Sequence, residues 1–228
     1  MEETIIKPIA YIRTDFKEKF GIPRQSCRAD GLVGKIIFLP EYRNPEALRE
    51  LDGFSHLWLI FDFSLSHRDS WSPTVRPPRL GGNRRVGVFA SRSPFRPNPI
   101  GLSSVRLISI ERDDEYGGVL IVSGADLLDM TPIYDIKPYI RSSDCHADAR
   151  SGYADEFTDY RLTVKFSEEL LTLIPEEKRE GLIDCIADDP RPSYQSDPSR
   201  VYSMRFSDFD IHFRVEDGVA KVLSVDSL

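Results

Sequence analysis

Three segments of the chain combine prolines with charged side chains, a composition that suits neither a regular helix nor a central strand. They are Phe20–Gln25, Ala90–Leu102 and Asp126–Tyr139. In the second segment, three prolines fix φ and stiffen the backbone around Arg92 and Arg96. A rigid loop loses less entropy on binding, and an arginine can bind a carboxylate or phosphate through two parallel hydrogen bonds. The second segment is therefore predicted to be an anion-binding loop.

The acids of the third segment are candidates for ligand binding and for proton transfer. Asp126, Asp129 and Asp135 lie among apolar residues, with Lys137 close by in the sequence. Carboxylates accept hydrogen bonds from ribose hydroxyls and amines, and a positioned carboxylate can remove a proton as a general base. The same residues also have structural uses, since Asp126 or Asp129 can cap a turn and Lys137 can pair with Asp135. The residues alone leave both interpretations open.

The first segment and a later arginine-rich stretch carry further candidates. Arg24 and Gln25 follow a turn stiffened by Pro23, and this segment either binds a ligand or merely closes one end of the fold. Phe95 in the second segment can stack on a purine. The stretch Trp71–Gly82 interleaves aromatic residues and arginines with prolines and glycines, which is typical of a nucleic-acid-binding arm or of a long hairpin.

Several other chemistries find no support in the sequence. It contains no dinucleotide or P-loop glycine pattern, no nucleophile elbow and no paired-histidine zinc motif. The four histidines and three cysteines are scattered without ligand spacing, so neither a metal site nor a disulfide framework is predicted. The longest apolar run, Leu57–Phe61, is far shorter than a membrane span, and the first residues lack the layout of a signal peptide. We therefore expect a cytoplasmic protein without a metal.

The charge of the chain is unevenly distributed. A net charge of −7 argues against a nucleic-acid partner for the chain as a whole, because phosphate binding needs clustered cations. However, residues 1–150 carry 21 basic and 20 acidic residues, whereas residues 151–228 carry 9 and 17. Between Arg68 and Arg106 there are eight arginines and a single acid. This arginine-rich stretch is able to face an anion.

Strand patterns recur along the first 140 residues. β-branched and aromatic residues predict strands over Ile5–Arg13, Leu32–Phe38, His56–Phe63, Val86–Ala90, Leu102–Arg112 and Val119–Ala125. The turn-forming run Asp113–Gly118 predicts that the last two strands pair as a hairpin. One helix is predicted over Glu46–Leu51, with Asn44 as its cap and Pro45 at its first position. These patterns predict a mainly β fold over residues 1–145, and several strands with turn-rich joins suggest a barrel.

The rest of the chain predicts a small α+β domain over residues 153–228. The polar stretch Arg141–Gly152 lacks periodicity and is predicted to be the linker before it. The predicted elements are a strand at Tyr160–Phe166, a helix capped by Ser167 that runs to Ile174, a helix at Glu176–Ala187, and strands at Arg205–Arg214 and Val219–Val225.

Five segments, in their order along the chain, resemble those of the TrmO or TsaA-like family over roughly residues 4–140. They are FGIPRQ (Phe20–Gln25), GFSHLWLIFDF (Gly53–Phe63), PTVRPPRLGGN (Pro73–Asn83), GVFASRSPFRPNPIGLS (Gly87–Ser103) and DLLDMTPIYDIKPY (Asp126–Tyr139). The residues after Tyr153 also resemble the extra C-terminal domain of the bacterial members. A chance match to all five segments together is not expected.

The resemblance implies a single-sheet β-barrel methyltransferase that uses S-adenosylmethionine (SAM). Its reaction would methylate N6 of threonylcarbamoyladenosine (t6A) beside the anticodon of threonine tRNA, and its partner would be the tRNA anticodon stem-loop carrying t6A. It also implies a homodimer with the SAM site near the subunit interface. By position, the residues implied in SAM binding are Pro23, Arg24, Gln25, Ser64, Leu65, Arg92, Leu102, Asp126, Leu127, Leu128 and Asp129.

Two details of this implied site stay open. Ser64 and Leu65 stand where relatives carry His-Gln, so a backbone contact is expected there rather than a side-chain contact. The general base is unassigned, and Asp126, Asp129 and Asp135 are the candidates, each of which can instead bind the ribose or amine of SAM.

Other interpretations compete with the enzyme. One is a non-catalytic β-barrel that senses SAM or a nucleotide and binds RNA, which product formation would distinguish from an enzyme. Another is a structural dimer whose proline-rich loops only form a subunit contact, which failure to bind SAM at all would favour. The acidic C-terminal domain either presents an arginine face to tRNA, or braces the dimer or orients the anticodon loop. Its candidate arginines are Arg191, Arg200, Arg205 and Arg214.

Overall fold

The computed structural model describes residues 3–77, 80, 84–157, 160–192, 194–195 and 197–228. Part of the resemblance segment Pro73–Asn83, namely Pro78, Arg79 and Gly81–Asn83, lies outside the described residues.

Strands dominate the described part of the chain. The first eight are β1 (Ala10–Arg13), β2 (Val33–Phe38), β3 (His56–Asp62), β4 (Thr74–Val75), β5 (Val86–Gly87), β6 (Ile100–Asp113), β7 (Gly117–Ser123) and β8 (Thr131–Pro138). The later strands are β9 (Thr163–Lys165), β10 (Tyr202–Phe206), β11 (Phe209–Glu216) and β12 (Val219–Ser227). The α-helices are α1 (Arg141–Asp144), α2 (Glu168–Leu171) and α3 (Glu176–Ala187). Within these described ranges, every helix is too short or too polar to cross a membrane.

Six of the strands form one antiparallel sheet that closes on itself in the order β1, β2, β7, β6, β3, β8. The ring is complete because β1 pairs with β2 on one side and with β8 on the other. Its interior packs the fully buried side chains of Ile12, Ile36, Leu57, Leu59 and Leu120. Buried and partly exposed positions alternate along β3, as the two-residue period of a strand requires. The prediction of a mainly β fold is confirmed.

Antiparallel pairing brings three long connections to one end of this barrel. The end of β1 lies beside the starts of β2 and β8, and the end of β3 lies beside the start of β6. The start of β2 in turn pairs with the end of β7. The connections 14–32, 63–99 and 124–130 therefore all lie at that end, which we call the loop end.

A second sheet forms the C-terminal part of the chain, in the order β10, β11, β12, β9. β9 is parallel to β12, and the other pairs are antiparallel. The core beneath this sheet buries Leu182 of α3 together with Met204 and Phe213. It also takes in Phe16 and Leu32 from connection 14–32 of the barrel. One connection is thus shared by the barrel and the C-terminal core.

The sequence predicted an irregular loop over the whole of the third proline-rich segment. The structure differs. The second half of the segment, Thr131–Pro138, is strand β8 and pairs with both β1 and β3. The prediction was wrong because Pro132 and Pro138 hide the strand pattern. Pro138 is the last residue of the strand, where a missing N–H costs little, and long-range pairing on both sides outweighs the local signal.

Four predicted strands are wrong in extent by three residues or more. The strand predicted over Tyr160–Phe166 is only Thr163–Lys165. β1 begins at Ala10 rather than at Ile5. In the predicted strand Val86–Ala90, the last three residues form a 3-10 turn. The predicted strand Arg205–Arg214 is the hairpin of β10 and β11, which turns at Ser207 with φ of +53°. A serine with positive φ carries no recognisable turn signal in the sequence, so this hairpin was missed.

The predicted helix caps are confirmed more closely than the helix lengths. The Asn44 side chain accepts a hydrogen bond from the Glu46 N–H, but the helix it caps is a 3-10 turn over Pro45–Leu48. Ser167 caps α2, which ends at Leu171 instead of Ile174. α3 has its predicted bounds. Short helices depend on tertiary packing more than on local signals, which explains the difference.

The predicted linker Arg141–Gly152 begins as an ordered helix, α1. Trp58 of β3 donates from Nε1 to the Asp144 carboxylate at 3.0 Å, and the Ile140 N–H donates to the same group at 2.8 Å. These bonds attach α1 to the barrel, so an unstructured linker over the whole stretch is not observed.

Connection 14–32 and helix α3 meet at two glycines. A Cβ built on Gly31 would lie 2.6 Å from the backbone nitrogen of Gly181, and a Cβ on Gly181 would lie 2.9 Å from Leu32 Cδ2. Both distances are shorter than van der Waals contact. The close approach of the barrel connection to the helix therefore requires a residue without a side chain at each position.

Replacing Gly31 with alanine is expected to lower the free energy of unfolding by roughly 1–3 kcal/mol, the range for overpacking a well-packed contact. The added methyl group would meet helix backbone, which cannot rotate aside as a side chain can. Urea unfolding followed by circular dichroism measures the change. Gly53→Ala is the matched control, because a Cβ there meets nothing within 4 Å. Equal losses in the two variants would contradict the packing argument.

Candidate functional site

The residues predicted to bind a cofactor come from distant parts of the sequence, and the barrel brings them to the loop end. Connection 14–32 carries Pro23, Arg24 and Gln25, connection 63–99 carries Ser64, Leu65 and Arg92, the start of β6 carries Leu102, and connection 124–130 carries Asp126, Leu127, Leu128 and Asp129.

Asp126 lies at the centre of this region. The Ser103 hydroxyl, on the inner face of β6, donates to Asp126 Oδ1 at 2.6 Å. Burial raises the pKa of Asp126 above its ordinary value, and the Ser103 hydrogen bond and the positive charge of Arg92 oppose this rise without cancelling it. A carboxylate with a raised pKa accepts a proton more readily than an ordinary aspartate. Among the three candidate acids, Asp126 has the environment of a base.

Two contacts join the connections around Asp126. Arg92 Nη1 donates to Gln25 Oε1 at 3.2 Å, which links connection 63–99 to connection 14–32. The Cys27 N–H donates to the Gly124 carbonyl at 3.0 Å, which links connection 14–32 to connection 124–130. Gly124 has φ of +74°, and a Cβ there would lie 3.2 Å from the Cys27 nitrogen. Glycine is therefore needed at this junction.

Asp129 is held in a different environment, although it is only three residues further along the chain. Its Oδ1 accepts hydrogen bonds from Arg13 Nε at 3.0 Å and from the Thr14 N–H at 2.9 Å, and its Oδ2 accepts one from Lys17 Nζ at 2.6 Å. Burial alone would raise the pKa of Asp129, but the Lys17 and Thr14 hydrogen bonds outweigh it and the pKa lies below its ordinary value. These contacts favour a structural role for Asp129 over proton transfer.

Asp135 lies in β8 and pairs with its sequence neighbour. Lys137 Nζ lies 2.8 Å from Asp135 Oδ2, so the structural alternative that the sequence left open for this pair is observed. The Ile136 N–H donates to Asp135 Oδ1 at 2.9 Å. An exposed carboxylate with a lysine partner is a weaker candidate for a base than Asp126.

Not every predicted residue directs its side chain towards Asp126. The Arg24 guanidinium donates to two backbone carbonyls of the turn 189–191, at 3.1 and 2.6 Å. Leu102 faces outward from β6 and is 56% exposed. Lys19 donates to the Leu65 carbonyl at 3.0 Å, which connects the turn after β3 to connection 14–32.

The two leucines of connection 124–130 serve packing. Leu127 is buried in the barrel core, and Leu128 packs against the C-terminal core. Pro23 is buried as well. A ligand at the loop end would therefore meet the backbone of these three residues rather than their side chains.

Sequence reasoning missed two groups of polar residues at the loop end. Ser103 could have been found, because it is a polar residue in the inward row of β6 between Gly101 and Val105. The second group consists of Asp62, His67 and Tyr134. His67 Nε2 lies 2.7 Å from Asp62 Oδ1. Tyr134 is close enough to Asp62 that burial and the Asp62 carboxylate together raise the pKa of Tyr134. The pairing of β3 with β8 brings these residues together, and no local pattern predicts it.

Connection 63–99 also presents an aromatic surface. Trp71 precedes β4 and Phe89 follows its antiparallel partner β5. The two residues are 52% and 74% exposed, and their ring centroids lie 6.2 Å apart. We call these two residues the aromatic pair. The Arg68 guanidinium lies 3.6 Å from the ring centroid of Phe95 in the same connection. Exposed rings beside arginines can stack on unpaired bases.

The loop end thus combines a partly buried carboxylate, an exposed guanidinium and a side-chain amide, a set able to bind hydroxyls, amines and carboxylates. In the part of the chain that the structure describes, no three His, Cys, Asp or Glu side chains are grouped to hold a metal ion. The geometry therefore supports recognition of a polar organic ligand.

Family comparison covers both parts of the chain. A model of the tRNA-methyltransferase O N-terminal domain matches residues 11–145, and a model of the TrmO C-terminal domain matches residues 159–228.

Individual relatives are similar over most of their length. The tRNA (adenine(37)-N6)-methyltransferase of Escherichia coli is 39% identical over 229 residues, which is 96% of each chain. The enzyme of the same description from Eikenella corrodens is 47% identical over 174 residues, 75% of this chain and 97% of that relative. A crystal structure of TrmO from Pseudomonas aeruginosa is similar with a TM-score of 0.81 and 36% identity, and the match covers 99% of each chain.

The Asp126→Asn variant is expected to gain stability relative to the unchanged protein as pH rises. A raised pKa means that the folded protein holds the Asp126 proton more tightly than the unfolded chain does. The unchanged protein therefore loses stability as pH rises from 3.8, the ordinary value, through the raised pKa, whereas asparagine has no proton to lose. Urea unfolding at a series of pH values from about 4 to 7 measures the difference.

Asp129→Asn is the matched control and is expected to show the opposite slope. Because its pKa is lowered, ionised Asp129 stabilises the folded protein at pH values above its ordinary pKa. This stabilisation is lost as pH falls through the folded-state pKa. Removing this carboxylate should therefore cost more stability at neutral pH than in acid. Parallel pH profiles for the two variants would contradict the opposite pKa shifts.

Proposed function

Because this chain belongs to the TrmO family of tRNA methyltransferases, we infer that it is a SAM-dependent enzyme that methylates N6 of an adenine in tRNA. The observation that carries this conclusion is the meeting of three barrel connections around Asp126, Gln25 and Arg92, in a chain that matches the family in both of its parts. The named relatives from E. coli and E. corrodens act on adenine 37, so we propose the same position for this chain.

The side chains at the loop end fit SAM. SAM supplies a methyl group on a positively charged sulfur, and it carries an amine, a carboxylate and two ribose hydroxyls. The Arg92 guanidinium suits the carboxylate, and the Gln25 side-chain amide suits the ribose hydroxyls. The backbone of Pro23–Gln25, Ser64–Leu65 and Leu127–Asp129 would complete the site, together with Leu102. A SAM site at the loop end would explain why the loops there are stiffened by prolines, because a rigid loop loses less entropy on binding.

Methylation of N6 also requires the removal of a proton. The N6 lone pair is delocalised into the purine, so the nitrogen must lose its proton before or during formation of the new N–C bond. We propose Asp126 as the acceptor, because its burial favours the protonated form. Asp129 and Asp135 are weaker candidates, since lysines already neutralise both. If Asp126 instead binds SAM, its replacement will raise the SAM dissociation constant rather than lower turnover.

We further propose t6A as the modified adenosine. The threonyl group of t6A carries a carboxylate, and arginine is the side chain best suited to bind it. Arg96 is the favoured residue, because its Nη1 donates to the Ser91 carbonyl at 3.1 Å and this bond fixes the guanidinium within the rigid loop. Arg92 would then bind the carboxylate of SAM, and Arg96 would bind the threonyl carboxylate of the substrate. The contact of Arg96 would explain a preference for t6A over unmodified adenosine.

The partner surfaces follow from exposure. Trp71 and Phe89 lie in an arginine-rich connection, so we propose that the aromatic pair stacks on bases of the anticodon loop. Ile100 and Leu102 are exposed apolar residues on the outer face of β6, and we propose this face as the contact of a homodimer. The cytoplasm, where tRNA is the available substrate, is the proposed place of action.

Incubating the protein with labelled SAM and tRNA, with and without the threonylcarbamoyl group, is expected to place the methyl group on t6A alone. Mass spectrometry of the nucleosides identifies the product. Methyl on unmodified adenosine would retain the enzyme and overturn the t6A proposal. SAM binding without transfer to any nucleoside would favour the non-catalytic, RNA-binding sensor.

Replacing Trp71 and Phe89 together with alanine is expected to raise KM for tRNA at least tenfold, because loss of stacking costs about 1–3 kcal/mol per base. The dissociation constant of SAM should not change, since neither ring belongs to the Asp126 site. Leu223→Ala, an exposed apolar residue of β12, is the control.

Light scattering on the same samples separates RNA contact from subunit contact. If the double variant keeps the molecular mass of the unchanged protein while its KM for tRNA rises, the aromatic pair contacts RNA. A fall from dimer to monomer in the double variant would assign the aromatic pair to the subunit interface instead.

A further inference from the structure

Residues 24–28 form a short segment, here called the shared segment, that is bonded to both halves of the molecule. Its middle contacts the barrel connections: the Gln25 side chain accepts from connection 63–99, and the Cys27 N–H donates to connection 124–130. The middle of the segment is therefore part of the loop-end site.

The two ends of the shared segment contact the C-terminal domain. The Arg24 N–H donates to Asp188 Oδ2 at 3.2 Å, and Arg28 Nε donates to Asp188 Oδ1. Arg28 also donates from Nη2 to the Tyr160 carbonyl at 3.3 Å. Asp188 is 2% exposed. One buried carboxylate thus binds both ends of the segment, and a hydrogen bond to a buried charge is stronger than one between neutral groups.

The structure around Asp188 is itself rigid. Asp188 follows the last residue of α3, and its N–H donates back to the Asp184 carbonyl at 2.9 Å. The next residue, Asp189, has φ of +53° and accepts from Arg191 Nε at 2.7 Å and from the Tyr160 hydroxyl at 2.8 Å. Burial alone would raise the pKa of Asp189, but the Arg191 hydrogen bond outweighs it, so the pKa is lowered and the carboxylate stays ionised. The end of α3 therefore presents a fixed carboxylate to the shared segment.

We propose that Asp188 is a positioning residue for the methyl donor: it acts through Arg24 and Arg28 to hold Gln25 in place at the loop end. This inference rests on the proposed function, because it assumes that SAM binds there. The C-terminal domain then completes the cofactor site without touching the cofactor. Its contribution to the reaction is to orient a loop of the barrel, in addition to any contact that it makes with tRNA.

Asp188→Asn is the substitution that tests this role with least change in volume. Asparagine keeps one oxygen but replaces the other with an NH2 group, which would face either the Arg24 N–H or Arg28 Nε. Two donors would then oppose each other at a buried position. The shared segment is expected to lose its fixed geometry while the barrel and the C-terminal sheet remain folded.

Lys178→Gln is the matched control. Lys178 of α3 also bonds the C-terminal domain to connection 14–32, through the Asp15 carboxylate, and it donates to Ser207 Oγ at 2.9 Å. Both of these contacts are with residues outside the shared segment. Loss of this ion pair should lower the melting temperature and leave the SAM site unchanged.

The experiment measures SAM dissociation constants by calorimetry, and KM for SAM and for tRNA separately, on the full-length chain. Asp188→Asn is expected to raise the dissociation constant and KM for SAM roughly tenfold, with KM for tRNA unchanged. Lys178→Gln is expected to change neither. If both variants raise KM for SAM in proportion to their loss of melting temperature, Asp188 has only a general structural role and the proposal is overturned.

Two further results keep the inference separate from the proposed function. If Asp188→Asn does not fold, Arg28→Gln removes the same ion pair from its more exposed side and is expected to raise KM for SAM in the same way. An unchanged KM for SAM in a folded variant overturns the positioning role of Asp188 but leaves the proposed methyltransferase function intact. Failure of the unchanged protein to bind SAM overturns both.

Discussion

Closure of the six-stranded antiparallel sheet is the constraint on which the rest of the molecule depends. A closed ring gives every strand two fixed neighbours, so the connections after β1, β3 and β7 must meet at the same end. Register matters equally. A slip of one residue in β6 would turn Ser103 outward and separate it from Asp126, because successive side chains of a strand face opposite sides. The site thus inherits its geometry from backbone pairing, and the proline-rich loops only refine it.

Within that geometry, burial and charge give two nearby acids opposite properties. Asp126 is partly buried beside the Ser103 hydroxyl, and its desolvation raises the pKa in spite of the positive charge of Arg92. Asp129 accepts hydrogen bonds from two cations and a backbone N–H, and its pKa is lowered. The difference comes from where connection 124–130 turns, since one acid faces the barrel mouth and the other faces the end of β1. Under the proposed function, proton transfer and structural ion pairing are in this way divided between residues of one short loop.

The acidic character of the C-terminal domain has a comparable explanation. Several of its carboxylates form ion pairs with arginines of the same chain, namely Arg28 with Asp188, Arg161 with Asp184, and Arg191 with Asp189. An acid that is neutralised in this way repels phosphate less than a free one. The negative net charge of residues 151–228 is therefore compatible with a tRNA substrate that contacts the arginine-rich side of the barrel. One of these pairs, Arg28 with Asp188, also joins the C-terminal domain to connection 14–32.

The sequence by itself determined the family, the mainly β character, most strand positions, the helix caps at Asn44 and Ser167, and the loops that carry the site. These follow from local patterns and from whole segments, which a single chain displays directly. Only the tertiary structure decided that Asp126 accepts from the Ser103 hydroxyl whereas Asp129 and Asp135 pair with lysines, that Arg24 points to the C-terminal domain, and that Thr131–Pro138 is a strand. Burial, ion pairing and strand pairing depend on residues more than a hundred positions away, such as Thr14 for Asp129 and Asp188 for Arg24. Contacts over such separations leave no periodicity in the sequence, and so they could not be predicted from it.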